Sequence, residues 1–190
     1  ASISSFNTYV PTRTCLSACS GGGAPPSPDF SADITSGCKP LTVKFTDLST
    51  NSPTSWLWTF PGGTPGTSTA KNPTVVYNTK GVYGVTLKAT NSSGSNTITK
   101  NNYITVKDKP VVNFTYTKSL GFVAFTNTTV DGDDFYWTFG DGEFSNDINP
   151  THDYNEPGTY TVTLTATNEC GSNSKTVTIV VVFIPLANFS

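Results

Sequence analysis

The side chains that could do chemistry in this chain are few: one histidine, four cysteines and thirteen carboxylates among 190 residues. His152 could serve as a base or a metal ligand, but no serine or cysteine nucleophile in a triad-like setting accompanies it. It sits in Asn149-Pro150-Thr151-His152-Asp153-Tyr154, a run that reads as a turn leading into a strand, so a structural role is expected. Asp131, Asp133 and Asp134 flank Gly132, and spaced carboxylates around a glycine can hold Ca²⁺. The full calcium-loop pattern is missing, however, and a solvated turn is the better reading, with Asp131 and Asp133 as the only metal candidates. Asp141 and Glu143 read as hairpin residues. A glycosidase pair of carboxylates is rejected, because nothing in the pattern builds a cleft around two of them. Trp56, Trp58 and Trp137 could stack on sugars, but their alternation turns them inward. Leu57 and Tyr136 point outward, which makes Tyr136 a candidate for contact with a partner. No catalytic residue and no cofactor are expected.

The cysteines are Cys15, Cys19, Cys38 and Cys170. Their spacing does not fit paired C-x2-C zinc ligation. An even number in a chain rich in Thr, Ser and Asn fits an oxidising compartment, and so a secreted or cell-surface protein. The formal net charge of −2, with no basic run, argues against nucleic acid as a partner. No stretch approaches the roughly 18–20 apolar residues of a membrane helix. Methionine is absent and Ala1 opens no signal-peptide pattern, so the chain reads as a processed product or a fragment. Asn91, Asn113, Asn127 and Asn188 stand in N-x-[ST] sequons, which matter only in a host that glycosylates them.

What must position these groups is a repeat. Asn72-Pro73-Thr74, Tyr77-Asn78, Gly81, Tyr83, Val85-Thr86-Leu87, Ala89-Thr90-Asn91 and Gly94-Ser95-Asn96 recur as Asn149-Pro150-Thr151, Tyr154-Asn155, Gly158, Tyr160, Val162-Thr163-Leu164, Ala166-Thr167-Asn168 and Gly171-Ser172-Asn173. Trp58-Thr59-Phe60 likewise returns as Trp137-Thr138-Phe139. The period, about 80 residues, is long enough for each unit to hold its own core. Within each unit the apolar residues alternate: Leu41, Val43 and Phe45 on one face, then Tyr83, Val85, Leu87 and Ala89, then Tyr160, Val162, Leu164 and Ala166. Period-two strands separated by turns such as Pro61-Gly62-Gly63 and Gly140-Asp141-Gly142 predict an all-β chain of two tandem Ig-like antiparallel β-sandwiches. The expected divisions are an extended leader over 1–28, units over 29–108 and 109–183, and the start of a third repeat over 184–190. Gly21-Gly22-Gly23-Ala24-Pro25-Pro26 reads as a hinge, and the short charged joint Lys107-Asp108-Lys109-Pro110 predicts an end-to-end rod.

Tyr136-Trp137-Thr138-Phe139-Gly140-Asp141-Gly142, then Asn149-Pro150-Thr151-His152-Asp153-Tyr154, then Pro157-Gly158-Thr159-Tyr160-Thr161-Val162-Thr163-Leu164, resembles the PKD (polycystic kidney disease) domain. The first unit carries Trp58-Thr59-Phe60-Pro61-Gly62-Gly63 in place of the W-D-F-G-D-G run, as do similar repeats in secreted proteins of Bacteroidota-type bacteria. The resemblance implies Ig-like spacer or adhesion modules on surface proteins and secreted hydrolases. It also implies a disulfide within each domain, from a cysteine before the second strand to one in an N-x-C-G turn. Each unit here has half of that pair: Cys38 in the first, where Ser93 holds the other place, and Cys170 in the second. The expectation is therefore that Cys15 and Cys19 bridge to Cys38 and Cys170, the latter within or between molecules, the alternative being free thiols. The leader carries Ile3, Phe6, Tyr9 and Val10, apolar enough for a strand that adds to a sandwich edge of its own or a neighbouring molecule. Head-to-tail addition would not close and would give a filament. The expected partners are copies of itself or other surface proteins, with polysaccharide as a further ligand class. The function expected is an extracellular structural or adhesive repeat protein; the alternative is a non-catalytic spacer or binding module of a larger secreted hydrolase.

Overall fold

A strand with one apolar face can take that face out of water only by meeting another sheet. The structure, a computed structural model, describes residues 23–183, and in it every regular element is a strand. The first unit contains β1 (Phe30–Ala32), β2 (Ser36–Cys38), β3 (Leu41–Asp47), β4 (Ser55–Thr59), β5 (Gly63–Thr64), β6 (Thr67–Ser68), β7 (Thr74–Tyr77), β8 (Gly81–Asn91) and β9 (Gly94–Lys107). Its sheets run β1-β3-β7-β5 and β2-β9-β8-β4-β6. The second unit contains β10 (Phe114–Ser119), β11 (Phe122–Asn127), β12 (Asp134–Thr138), β13 (Phe144–Ser145), β14 (Thr151–Asp153), β15 (Gly158–Asn168) and β16 (Gly171–Val181), in sheets β10-β11-β14 and β13-β12-β15-β16. The chain is thus all-β, with two tandem Ig-like sandwiches.

The alternation read from the sequence is the alternation of burial: β3 is buried at every odd residue from Leu41 to Asp47. Each core is built on the same aromatic stack. Phe30 meets Trp58 edge-on at 5.2 Å, as Phe114 meets Trp137 at 4.9 Å. Both indole N–H groups donate out of the core, Trp58 to the Ala70 carbonyl and Trp137 to that of Asp147. They thereby pin the loop after each central strand. Trp56 is less deeply placed, packed at the edge of the first core.

The two units differ in two strands, since among the described residues neither β5, on the edge of β7, nor β2, on the edge of β9, has a counterpart in the second unit. All pairings among the described strands are antiparallel except one, β2 beside β9. The segment between Phe30 and Phe45 is four residues longer than its counterpart from Phe114 to Phe125, and the extra length forms β2. In the second unit β10 turns directly into β11 through Leu120-Gly121, and no such strand exists there. At their starts the units are held alike. Ala24–Pro28 belongs to the hydrogen bonding of the first sandwich: Asn51, Asn91 and Asn96 donate to the carbonyls of Pro25, Ala24 and Pro26. In the second unit Asn168 and Asn173 hold Asp108 and Pro110 in the same way. The stretch read as part of a hinge and leader is therefore clasped to the first unit, because proline-rich backbone still offers carbonyls to side-chain amides.

A tyrosine pair gives an internal control on buried polar groups. Tyr154 donates from its hydroxyl to the Phe139 carbonyl at 2.9 Å, while the equivalent Tyr77 hydroxyl is buried without a partner. Burial pushes both phenols up, Tyr77 to about 12. Tyr154→Phe should destabilise the second unit by about 1–2 kcal/mol, whereas Tyr77→Phe should be neutral or stabilising, since it removes an unmet desolvation cost. Urea denaturation of the two variants checks this; equal losses would refute it.

Candidate functional site

The residues singled out for chemistry are brought together in two places, the His152–Asp141 pair of the second unit and the joint between the units. In the second unit the His152 ring stacks on Phe139 at 4.1 Å and meets Tyr154 edge-on. Its Nε2 lies 2.6 Å from Asp141 Oδ2, and its side chain is 7% exposed. A ring enclosed between aromatics, with one nitrogen committed to a carboxylate, presents little to a substrate. Gly140 permits the turn that aims Asp141. Its φ is 89°, and a Cβ there would lie 2.7 Å from the Thr161 nitrogen. In the first unit the same two places hold Gly62 and Val75, an apolar substitute for the pair. The paired replacement within one chain was the sequence signal for this contact.

Burial works against ionisation of Asp141, but the His152 hydrogen bond, the Glu143 backbone N–H and the imidazole charge outweigh it and hold its carboxyl below the usual range. A carboxyl lowered on folding adds stability that is present above its unfolded value, near pH 4. That stability is lost as pH falls toward the folded value. The second unit should therefore weaken as pH falls below about 4, and Asp141→Asn should remove that part of the loss. Denaturant midpoints of the wild type and the variant between about pH 3 and 6 test it, and parallel acid profiles of the two would refute it.

The other place is the joint. β9 is fourteen residues long, so its ends stand roughly 40 Å apart. Each unit has a proximal pole, where the chain comes in, and a distal pole opposite. Cys38 pairs in register with Lys107 at the end of β9, on the distal pole of the first unit. Cys170 lies in the turn between β15 and β16, where Asn168 clasps Asp108, on the proximal pole of the second. The two cysteines are bonded to each other, with their Cα atoms 5.5 Å apart. This corrects the expected connectivity: Cys38 and Cys170 do not bridge to Cys15 and Cys19, which lie outside the described residues. The physical reason is that the two half-sites occupy opposite poles of a unit. A bridge between positions 38 and 93 of one unit would have to span the length of β9. Between consecutive units the same positions face each other.

Charges close the joint further. Lys39 reaches Asp108 at 2.5 Å, Lys80 reaches Asp131 at 2.5 Å, and Lys107 reaches Glu169 at 2.5 Å. The Lys39 hydrogen bond holds the Asp108 carboxyl below its usual range, with some opposition from burial. Asn168 donates to the carbonyls of both Asp108 and Asp131, and its Oδ1 accepts from the Cys170 N–H. Lys80, Lys107, Asp108, Asp131, Asn168 and Glu169 line a cleft of about 300 Å³. Asp131 and Asp133, the calcium candidates, both border it, and Asp131 already faces an ammonium. Among the described residues no three His, Cys, Asp or Glu side chains gather as a metal set. The ion pairs are open to solvent and individually weak, so the disulfide is the dominant tie.

The remaining candidates are scattered. Tyr136 is 43% exposed and packs against exposed Phe144 on the outer side of β12 and β13. Ile3, Phe6, Tyr9 and Val10 lie outside the described residues. Sequence reasoning missed Asn91 and Asn168 as clasps, although their recurrence at the end of the same strand was visible. The Asn91 side-chain amide donates to both Ala24 and Asn51, so its sequon is engaged within the fold. No helix among the described residues is long and apolar enough to cross a membrane.

A family profile described as "PKD domain" matches residues 23–106 and again 109–183. Among curated proteins, the collagenase ColA of Bacillus cereus is 52% identical over 48 residues, a quarter of this chain but 5% of that protein. Among solved structures, the PKD1 domain of the Vibrio cholerae metalloprotease PrtV is 36% identical, with a TM-score of 0.37, covering 38% of this chain and 96% of that domain. The ectodomain of mouse nectin-like molecule 4 is 16% identical with a TM-score of 0.50, covering 88% of this chain and 67% of that one. That last likeness is one of fold.

Proposed function

We propose, from the premise that the chain belongs to the PKD domain family in both of its units, that it acts as a non-catalytic extracellular strut. Its two modules are locked end to end to hold apart, or present, whatever flanks them on a surface-adhesive or fibrous protein. The observation that carries this reading is the Cys38–Cys170 bond. A short linker restricts but does not abolish swinging between consecutive domains, whereas a second covalent link beside it removes most of the freedom that is left. A disulfide between modules also fits an oxidising, secreted or surface location.

The test is a distance measurement between spin labels on the outer faces of the two units, made before and after reduction. A narrow distribution that broadens on reduction supports the strut; a broad distribution in the oxidised protein overturns it. A second reading, an accessory module of a larger secreted hydrolase touching polysaccharide or protein, is favoured by the local match to the collagenase. The exposed Tyr136–Phe144 pair would be the contact surface. Retention of the chain on an insoluble polysaccharide or on collagen, lost in Tyr136→Ala, would favour that reading over the first.

A further inference from the structure

The two units differ at two sheet edges, and the difference between β9 and β16 exposes a site. In the first unit the distal end of β9 is covered by β2: Ser36, Gly37 and Cys38 run parallel to Thr105, Val106 and Lys107. The Thr105 N–H donates to the Thr35 carbonyl, and Lys39 N–H donates to that of Lys107. The strand that is covered there carries Thr105 and Lys107 on its outward positions. The second unit lacks the insertion, and among the described strands β16 pairs with β15 alone. The positions matching Thr105 and Lys107 are Val180 and Val182, 50% and 59% exposed, followed by Phe183 at 41%. The uncovered edge is thus the more apolar one, the reverse of how exposed edges are protected. Its outward carbonyl at Val180 is met by the Lys118 ammonium at 2.6 Å.

We propose that this edge of β16, over Val180–Val182, receives a parallel strand from a second copy of the chain, donated by the leader segment Ile3–Val10. Three observations support that occupant. The first unit displays the same edge already carrying a parallel strand, so the backbone there is shaped to take one. The leader is uncharged through Pro11 and carries Ile3, Phe6, Tyr9 and Val10, a match for an apolar edge. Reach decides between the same copy and another. The leader joins the first unit at its proximal pole, and the edge lies at the distal pole of the second. The strands between, β9 and β16, measure roughly 40 and 30 Å, while residues 11–22 fully extended span at most about 40 Å. Donation to a neighbour is head-to-tail and open-ended, so it builds a chain of struts. The proposal rests on the strut reading above and adds the contact that would propagate it.

The test uses the whole 190-residue chain in analytical ultracentrifugation over a range of concentrations. Val180→Pro removes an outward N–H without touching the ladder to β15, since proline is tolerated on an edge. Phe6→Asp changes no residue of either sandwich. The wild type should form concentration-dependent linear oligomers. Each variant should weaken association about tenfold or more, and the double variant no further than the weaker single one. Photo-crosslinking from position 182 should capture residues 3–10 of another copy. A wild type that stays monomeric at millimolar concentration overturns the proposal, as do oligomers indifferent to both variants. So do crosslinks to residues 184–190 or to the leader of the same copy. A monomer that keeps its narrow inter-unit distances would sink this inference while leaving the strut reading intact.

Discussion

Trp137→Ala should destabilise the second unit by about 3–5 kcal/mol, the range for truncating a fully buried indole. Trp137 has no exposed surface, packs on Phe114 at 4.9 Å and on Phe125 at 5.1 Å, and donates to the Asp147 carbonyl. Alanine would leave a void that flanking strands cannot close without breaking the sandwich, and would also free the loop its N–H holds. A domain of this size has a total stability on the order of 4–11 kcal/mol, so the variant should sit near its unfolding threshold at room temperature. In calorimetry the second unit's transition should fall by roughly 15 °C or more while that of the first stays in place. Because Trp137 is the only tryptophan of the second unit, the first can still be followed through Trp56 and Trp58. If both transitions fell together, the units would be a single cooperative block rather than two sandwiches tied at a joint.

Cys170→Ser is the second large effect. Each unit can unfold while the other stays folded, and the bond then closes a loop of roughly 60–70 residues through the unfolded one. In the chain-entropy treatment such a loop is worth about 4 kcal/mol to whichever unit unfolds first. Cys38→Ser should give the same loss, and the double variant no more than either alone, because only one bond is present to remove. The three lysine–carboxylate pairs and the Asn168 clasp remain in these variants. They are expected to keep the units adjacent at low salt and to let them swing as salt screens the pairs. Denaturant midpoints measured against salt concentration read both parts. Loss of less than about 1 kcal/mol would mean that the joint is already closed by its non-covalent contacts.

The sandwich itself was legible because it is written locally. A period of two places Val43, Phe45 and Trp58 inside without reference to anything distant, and a duplication displays the same pattern twice. Tyr136 outside, with Trp58 and Trp137 inside, follows from that alternation alone. The His152–Asp141 contact was half legible, in that both positions change together between the units. The joint was not. Cys38 and Cys170 are 132 residues apart, and whether they meet depends on which pole each one occupies on units built around a strand of roughly 40 Å. That is decided by β2 lying parallel to the end of β9, and by the turn between β15 and β16 lying beside the linker. Pairing cysteines by motif, one unit at a time, could only send each to the leader. The strand pattern by itself determined what each unit is. The arrangement of poles, which exists only once the sheets are assembled, decided that two halves of a disulfide in different units make one bond. It also decided that the insertion covering one edge leaves its counterpart in the second unit open.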